Sequence, residues 1–458
     1  MQVFLWSCAL YLRFALQSGA MQQSMTMKAL AFLLPMFAAT FGAYLATGDS
    51  SLLHTALPLW NAISSSIGLA LIYDYGMKVQ SRTYFLRADL MFPTDSPYYK
   101  VLMTGNDHAY HQLLRMNKFT FDRIMEHVRP EFKLWRLGYN ADGSRRPGPA
   151  NMLDATACIA LTLTYLGSTT QSRLLELIYG VGHAVLSRDL HDGFRELLIA
   201  LEAMPETEPR VPNLRNMLRF AEAIEAEHGP CPYPGVRVWG FIDGLRLLCK
   251  EPDLADVQTL FYNGWMHTVG IVNSFLFTPD GKICASVMNV PGSQHDFAIS
   301  NAIFQVISNP PLAGGVVAGD SAFCSAATNT FIAAKDGALP FFSYPSGVFL
   351  TLPSHTHTHN GTHNAFADFV PPPGSVNPVN PGGQKRAFNI WIQAVRQSAE
   401  HGMRSFQSLF SRVKTALPAD NELRGVIMKV CMRLHNLNAH FLANHNQVTT
   451  QYLDGLLR

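Results

Sequence analysis

The sequence predicts an α/β fold, a mixed sheet with flanking helices over about 235–440, preceded by an all-helical region. Three observations predict it. Apolar residues recur at helical spacing through the first half of the chain. Near residue 236 the pattern changes to short apolar runs bounded by Gly, Pro and Asp. Two amphipathic helical stretches then follow the strands. At 458 residues the chain is long enough for two to four domains, and 48% hydrophobic with 15% charged residues is an ordinary globular composition.

Residues 1–80 form an apolar N-terminal segment. The run 29–47 is uncharged and about as long as a bilayer-spanning helix; 52–73 is also apolar but diluted by His54, Asn61 and serines, and 3–16 carries Arg13. A signal-anchor, a pair of membrane helices, helices packed on the next domain, and sequence upstream of the true start all stay open. Residues 81–230 are predicted helical. Leu113, Leu114, Met116, Phe119, Phe121, Ile124, Met125 and Val128 lie at helical spacing, and a Gly/Pro/Asn-rich linker covers 138–149. A helix over 152–166 leads to Gly167-Ser168-Thr169-Thr170, whose hydroxyls are expected to cap the next helix over 171–179. Gly180-Val181-Gly182 stops that helix and a third starts near His183, so 167–192 reads as a helix-turn-helix-like unit. In that reading the third helix presents His183, Ser187, Arg188 and His191 to DNA; plain core helices carry the same signature.

Strands are predicted over 236–241, 266–277, 283–290 and 316–318, with Thr278-Pro279-Asp280-Gly281 as a hairpin turn. Pro291 through Asp296 leads into a helix ending near Ile307. Residues 344–383, rich in Pro, His, Gly and Asn, form a loop insertion. Helices follow over 387–414 and 426–441, and 441–458 is left as a C-terminal tail. The net charge of +2 identifies no partner, but 381–440 holds nine Lys/Arg against three acids, a local basic surface that attracts a polyanion. Seven scattered cysteines without a Cys-x-x-Cys pair do not suggest a disulfide framework and fit a reducing, intracellular compartment.

Three acids stand at chemically suggestive places: Asp243 and Asp320 at the ends of predicted strands, and Glu400 on a predicted helix. Carboxylates converging from strand ends and a facing helix suit two divalent ions, and hard oxygen donors select Mg²⁺ or Mn²⁺. Taken singly, Asp243 and Asp320 are equally residues that start turns.

The phrases around the acids resemble those of DDE superfamily endonucleases of the PIF/Harbinger transposase type. Ile242-Asp243-Gly244, Tyr262-Asn263-Gly264-Trp265, Pro291-Gly292-Ser293-Gln294-His295-Asp296, Gly319-Asp320-Ser321-Ala322-Phe323, the set Asn389, Arg396 and Glu400, and Leu434-His435-Asn436 occur in the family's order. The resemblance covers roughly 80–440. It implies an RNase H-like fold, with Asp243, Asp320 and Glu400 as catalytic, metal-binding residues of a DNA endonuclease or transposase that uses Mg²⁺ or Mn²⁺. It further implies DNA as substrate, a Myb-like partner protein and action in the nucleus. A homo-oligomer and membrane association through 29–73 stay open. Leu245-Arg246 stands where family members often carry Thr-His, Ala399 replaces a larger aliphatic residue, and the segment between Asp320 and Glu400 is long. These departures spare every carboxylate but fit a decayed or repurposed copy too.

Among the remaining candidates, Asp296 is a secondary acid that an N-cap role explains as well. Arg396 and Arg404 flank Glu400 by one helical turn and are expected to hold DNA phosphates, to pair with the carboxylate, or both. With Arg188, Arg412 and Lys414 they are the candidate DNA-contacting cations, for which solvated charge is the other reading of Arg412 and Lys414. His355, His357, His359 and His363 have metal-ligand chemistry, but in a Pro/Gly-rich loop without acidic partners they read as a flexible tract. Two rival functions are a catalytically inactive, domesticated DNA-binding or scaffold protein, and a membrane-anchored protein of unrelated function.

Overall fold

The computed structural model describes residues 25–64, 89–147, 152–294, 296–307, 315–319, 349–350, 381–441 and 446–457. The chain divides into two units, Met1–Leu90 and Met91–Arg458. In the first, helix α1 (Met25–Thr47) covers the apolar run and tolerates Pro35 in its interior. A second helix, α2, spans 50–64. Phe37, Ala56 and Ile63 are buried together, with Phe41, Leu59 and Trp60 against them, so these helices bury apolar faces on each other. Among the described residues no helix is long and apolar enough to cross a membrane. The apolar run over 3–16 lies outside the described residues, as does the end of the run over 52–73.

The second unit begins with short helices: α3 (Pro97–Thr104), α4 (Asp107–Leu114), α5 (Lys118–His127) and α6 (Pro130–Arg136). Asn106 and Asn117 fix the starts of α4 and α5, each side chain accepting from the backbone N–H three residues on, at 3.0 and 2.8 Å. Such caps contribute about 1 kcal/mol each. Arg136 ends α6 fully buried, bonded to Asp189 at 2.9 Å and donating twice to the Leu153 carbonyl, at 2.9 and 2.7 Å. That anchors the entry to α7 (Ala155–Gly167), whose first turn is capped by Asp154 at 2.7 Å.

Helices α8 (Ser172–Tyr179) and α9 (His183–Glu202) follow close to their predicted limits. Gly180 ends α8 with φ +66°, and a Cβ there would sit 2.4 Å from the Met91 carbonyl oxygen, so glycine is required. The capping expectation is corrected. The residue before α8 is Gln171, without a side-chain cap, and the Ser168 hydroxyl donates back to the Thr164 carbonyl at 2.9 Å. α10 (Leu214–His228) closes the helical region.

The sheet runs β2–β3–β1–β5–β6, with β4 paired to β3. Its strands are β1 (Arg237–Leu248), β2 (Tyr262–Asn263), β3 (Thr268–Phe277), β4 (Ile283–Pro291), β5 (Gly315–Ala318) and β6 (Phe349–Leu350), with α11 (Ala255–Phe261) before β2 and α12 (Asp296–Ile307) before β5. β1, β3 and β4 are antiparallel neighbours, whereas β5 is parallel to β1 and to β6. The first strand is much longer than predicted. Gly244 through Leu248 continue it because β3 offers partners along its length, from Phe241 opposite Phe277 to Leu248 opposite Gly270. Asp243 therefore lies inside β1, not at its end.

On one side of the sheet, Trp239, Ile242, Leu276 and Val317 pack with Met217, Phe220, Ile303 and Ile307. On the other, Phe241, Leu245, Phe275 and Phe277 join α13 (Pro381–Leu409) through Ile392, Val395, Ala399, Met403 and Phe406. The same buried cluster includes Tyr110, Leu114 and Phe194 of the helical region. The change near 230–235 thus separates kinds of secondary structure that share one core. α14 (Asn421–Phe441) follows α13, and the expected tail is instead a helix, α15 (Gln447–Leu457), with Val448, Thr449 and Tyr452 buried. Four buried cysteines, at 158, 249, 284 and 431, are free thiols and behave as small core hydrophobes. Of the loop insertion expected over 344–383, residues 349–350 form β6 and 381–383 open α13, while 344–348 and 351–380, with the histidine tract, lie outside the described residues.

Candidate active site

Side chains alternate along a strand, so Asp243, between Phe241 and Leu245, belongs to the β1 face covered by α13. Its register partner is Phe275, whose ring lies 5.2 Å from that of Phe406 on α13. Asp243 is half-buried, and its Oδ1 accepts from the Gly244 N–H at 2.8 Å. Below it, Gly402 allows α13 to rest on the sheet. A Cβ there would come within 2.9 Å of the Phe277 ring, so any larger residue lifts the helix away.

Glu400 occupies the next position but one before Gly402, at the exposed flank of α13. Arg396 donates to it at 2.6 Å, one turn earlier. The carboxylate is half exposed, so the pair contributes only a few tenths of a kcal/mol to the helix; it orients the carboxylate more than it stabilises the fold. The expected Arg396–Glu400 pairing is present, and Arg404 is exposed a turn further on.

The third acid, Asp320, lies outside the described residues. The strand before it does not: β5 is parallel to β1, with Phe241 opposite Ala318. Asp243 is two residues beyond the first member of that pair and Asp320 two beyond the second. Asp296 is the first residue of α12. Among the described residues, no group of three or more His, Cys, Asp or Glu is arranged to hold a metal.

The basic residues divide sharply. Arg412 was an expected DNA contact, but its guanidinium stacks 4.1 Å over the Tyr165 ring and donates to the carbonyls of Tyr165 and Thr170, at 3.2 and 2.6 Å. Burial lowers its pKa from the ordinary value, and its role is to tie the end of α13 to the α7–α8 turn. Arg424 is buried, bonded to the carbonyls of Pro418 and Ala419 and to Asn289. Arg433 reaches Thr207 at 3.1 Å. The basic surface read from 381–440 is correspondingly smaller than the residue count implies, because sequence counting does not distinguish a guanidinium that serves carbonyls from one that faces water. Arg404, Lys414 and Lys429 remain exposed.

In the helix-turn-helix-like unit, His183 turns back to Glu176 at 2.9 Å and closes the α8–α9 turn. It is thus not presented outward as expected. Ser187, Arg188 and His191 are exposed on α9, with Arg188 3.5 Å from Asp189.

Several motif residues turn out to hold the scaffold. Asn263 is buried; its Nδ2 donates to the Gly292 carbonyl at 2.6 Å, and its Oδ1 accepts from the N–H groups of Trp265 and Met266 at 3.1 and 3.0 Å. One side chain thereby joins two phrases that are far apart in sequence. Asn436 pairs with both backbone groups of Ile283, at 2.8 and 2.9 Å, and donates to the Thr207 carbonyl at 3.2 Å. His435 is bonded through Nε2 to the Gly281 carbonyl at 2.9 Å, and burial pushes its pKa down to about 4, so it is neutral. Sequence reasoning missed Tyr452, although Val448, Tyr452 and Leu456 at four-residue spacing mark one face of a helix.

A family model described as DDE superfamily endonuclease matches residues 242–436, from Ile242 before the first acid to Asn436. No curated protein and no solved structure matches the chain. The matched segment contains the sheet from Ile242 onward, α13 and most of α14, and it is similar to a DDE-type endonuclease domain.

Proposed function

We propose that the second unit is a metal-dependent DNA endonuclease and strand transferase of the PIF/Harbinger transposase type, in which Asp243, Asp320 and Glu400 together hold divalent ions. Similarity of residues 242–436 to DDE superfamily endonucleases supports action on phosphodiester bonds. The residue assignment is carried by one observation. β1 and β5 run parallel with Phe241 opposite Ala318, each two residues before an acid, and Glu400 rides on the helix that covers the Asp243 face.

The donor set fits Mg²⁺ or Mn²⁺, since carboxylate oxygens are hard ligands and both described acids keep solvent-accessible surface. When bound, such ions supply the Lewis acidity that in-line displacement at phosphorus requires. The chain supplies position. Asp243 is steadied by the Gly244 N–H, and Arg396 aims the Glu400 carboxylate. The exposed Arg188, Arg404 and Lys414 are the cations that contact phosphates in this reading. Water is the nucleophile for cleavage and a freed 3′-hydroxyl the nucleophile for joining. Delivery to DNA ends by a Myb-like partner, and action in the nucleus, belong to the same proposal.

The test is nicking of plasmid DNA by the purified full-length chain with Mg²⁺ or Mn²⁺. Cleavage is expected, and Asp243→Ala and Asp320→Ala are each expected to abolish it. Cleavage that survives both substitutions overturns the assignment. DNA binding without any cleavage by the parent chain favours a domesticated, non-catalytic DNA-binding protein.

A further inference from the structure

The C-terminal helix α15 lies beyond the segment that matches the endonuclease family, yet it touches both elements that carry the described acids. Tyr452 is the point of contact. Its side chain is buried, and its ring stacks on Phe241 with centroids 5.6 Å apart and planes 15° from parallel. Phe241 is two residues before Asp243 on the same face of β1. The Tyr452 hydroxyl shares hydrogen bonds with Ser398 Oγ at 2.6 Å and with His228 Nε2 at 2.9 Å. Ser398 is two residues before Glu400 on α13.

A second residue of α15 doubles the link. The Gln451 Oε1 accepts from Ser398 Oγ at 3.2 Å and bonds His401 Nδ1 at 3.2 Å, while its amide lies 3.4 Å from His228 Nε2. Residues on both sides of Glu400 are therefore fixed by one turn of α15, with α10 contributing His228 behind them. Burial lowers the His228 pKa, which favours the neutral ring. Apolar packing alone lets a helix slide along a sheet, because dispersion contacts are non-directional. Hydrogen bonds to Ser398 and His401 set a register that packing leaves free.

We propose that Tyr452 is a positioning residue for the ion-holding carboxylates: its ring references β1 through Phe241 and its hydroxyl references α13 through Ser398, so that it sets where Glu400 stands relative to Asp243. This rests on the reading of Asp243 and Glu400 as ion ligands. The C-terminal helix is then part of the nuclease, although it lies outside the family's matched segment.

The experiment uses the full chain and Mn²⁺ alone, with binding read by electron paramagnetic resonance and plasmid nicking measured in parallel. Tyr452→Phe keeps the stack and removes the hydroxyl. It is expected to weaken Mn²⁺ binding about tenfold and raise the Mn²⁺ concentration for half-maximal nicking equally, with KM for DNA unchanged; a tenfold change corresponds to about 1.4 kcal/mol. Ser398→Ala, which also removes the bond to Gln451, is expected to weaken binding at least as much, and the double variant to fall short of the sum, since both remove the Tyr452–Ser398 link. Wild-type Mn²⁺ affinity in Tyr452→Phe, with a normal melting temperature, overturns the proposal. So does a loss of affinity that appears only in proportion to unfolding, or effects of the two substitutions that simply add. If the parent chain binds no Mn²⁺, or binds it equally well as Asp243→Asn, the ion-site reading itself fails, and that outcome is distinct because it does not depend on Tyr452.

Discussion

Asn436 and Glu400 stand on consecutive long helices of one domain, and their surroundings are opposite. Asn436 is fully buried and its amide is spent on Ile283 and Thr207. Glu400 is half exposed, with Arg396 as its described ion-pair partner. The same contrast separates Asn263, clamped between Gly292 and the backbone of residues 265 and 266, from half-buried Asp243. Residues that look alike as family phrases thus serve two ends. The amides and the imidazole hold loops to the sheet, while the two described carboxylates keep solvent-accessible surface. The amides of Asn263 and Asn436 have their hydrogen-bonding groups met inside the protein, where an unmet buried polar group costs about 1–3 kcal/mol.

Five substitutions and one pH comparison test that division, from the largest effect to the smallest. Asp243→Asn and Glu400→Gln are expected to lower Mg²⁺-dependent cleavage by about 10²–10³-fold or more, the scale for removing a group that stabilises transition-state charge. Their urea midpoints are expected to stay close to the parent's; a shared collapse of stability would move both acids into the scaffold class.

His435 gives the next effect. Its pKa falls from an ordinary 6.5 to about 4 on folding because the ring is desolvated. Between those values the unfolded chain binds the proton and the folded chain does not, so stability is fully present above about pH 6.5. It is lost as pH falls toward 4, by on the order of 3 kcal/mol. Urea titrations at pH 7.5 and 4.5 are expected to show the loss, and a variant such as His435→Gln is expected to lack that component.

Asn436→Ala leaves the Ile283 N–H and carbonyl without their partner in the core and is expected to cost about 1–3 kcal/mol, read from the shift in denaturant midpoint. If cleavage measured well below that midpoint is unchanged, the residue belongs to the scaffold alone. Arg396→Gln is the smallest perturbation in stability, below about 0.5 kcal/mol as for exposed helix pairs. A larger effect on Mn²⁺ affinity than on folding would show that Arg396 aims Glu400 and does not merely pair with it.

Much of this was legible in the sequence, for reasons that differ by element. α8 and α9 were found because Gly180 marks a left-handed stop and the apolar spacing resumes at once. The β3–β4 hairpin was found because Thr278-Pro279-Asp280-Gly281 is turn chemistry between alternating runs. The C-terminal half of β1 was missed because Asp243-Gly244 looks like a turn, and only pairing with β3 keeps the backbone extended there. α15 was missed although Val448, Tyr452 and Leu456 lie at helical spacing, and its stability comes from burying Val448 and Tyr452 against other elements. Arg412 was misread because charge alone says nothing about partners, and Tyr165 and Thr170 are remote in sequence.

The sequence by itself determined the helical first half and the strand order of the sheet's hairpin, and it nominated the candidate acids, since these depend on local periodicity, turn chemistry and ordered phrases. Tertiary structure decided which polar residues are buried in service of the fold and which keep solvent-accessible surface. It also decided that Tyr452 bridges the strand of Asp243 and the helix of Glu400. Those outcomes depend on contacts between residues tens to hundreds of positions apart, and no local pattern encodes such a distance.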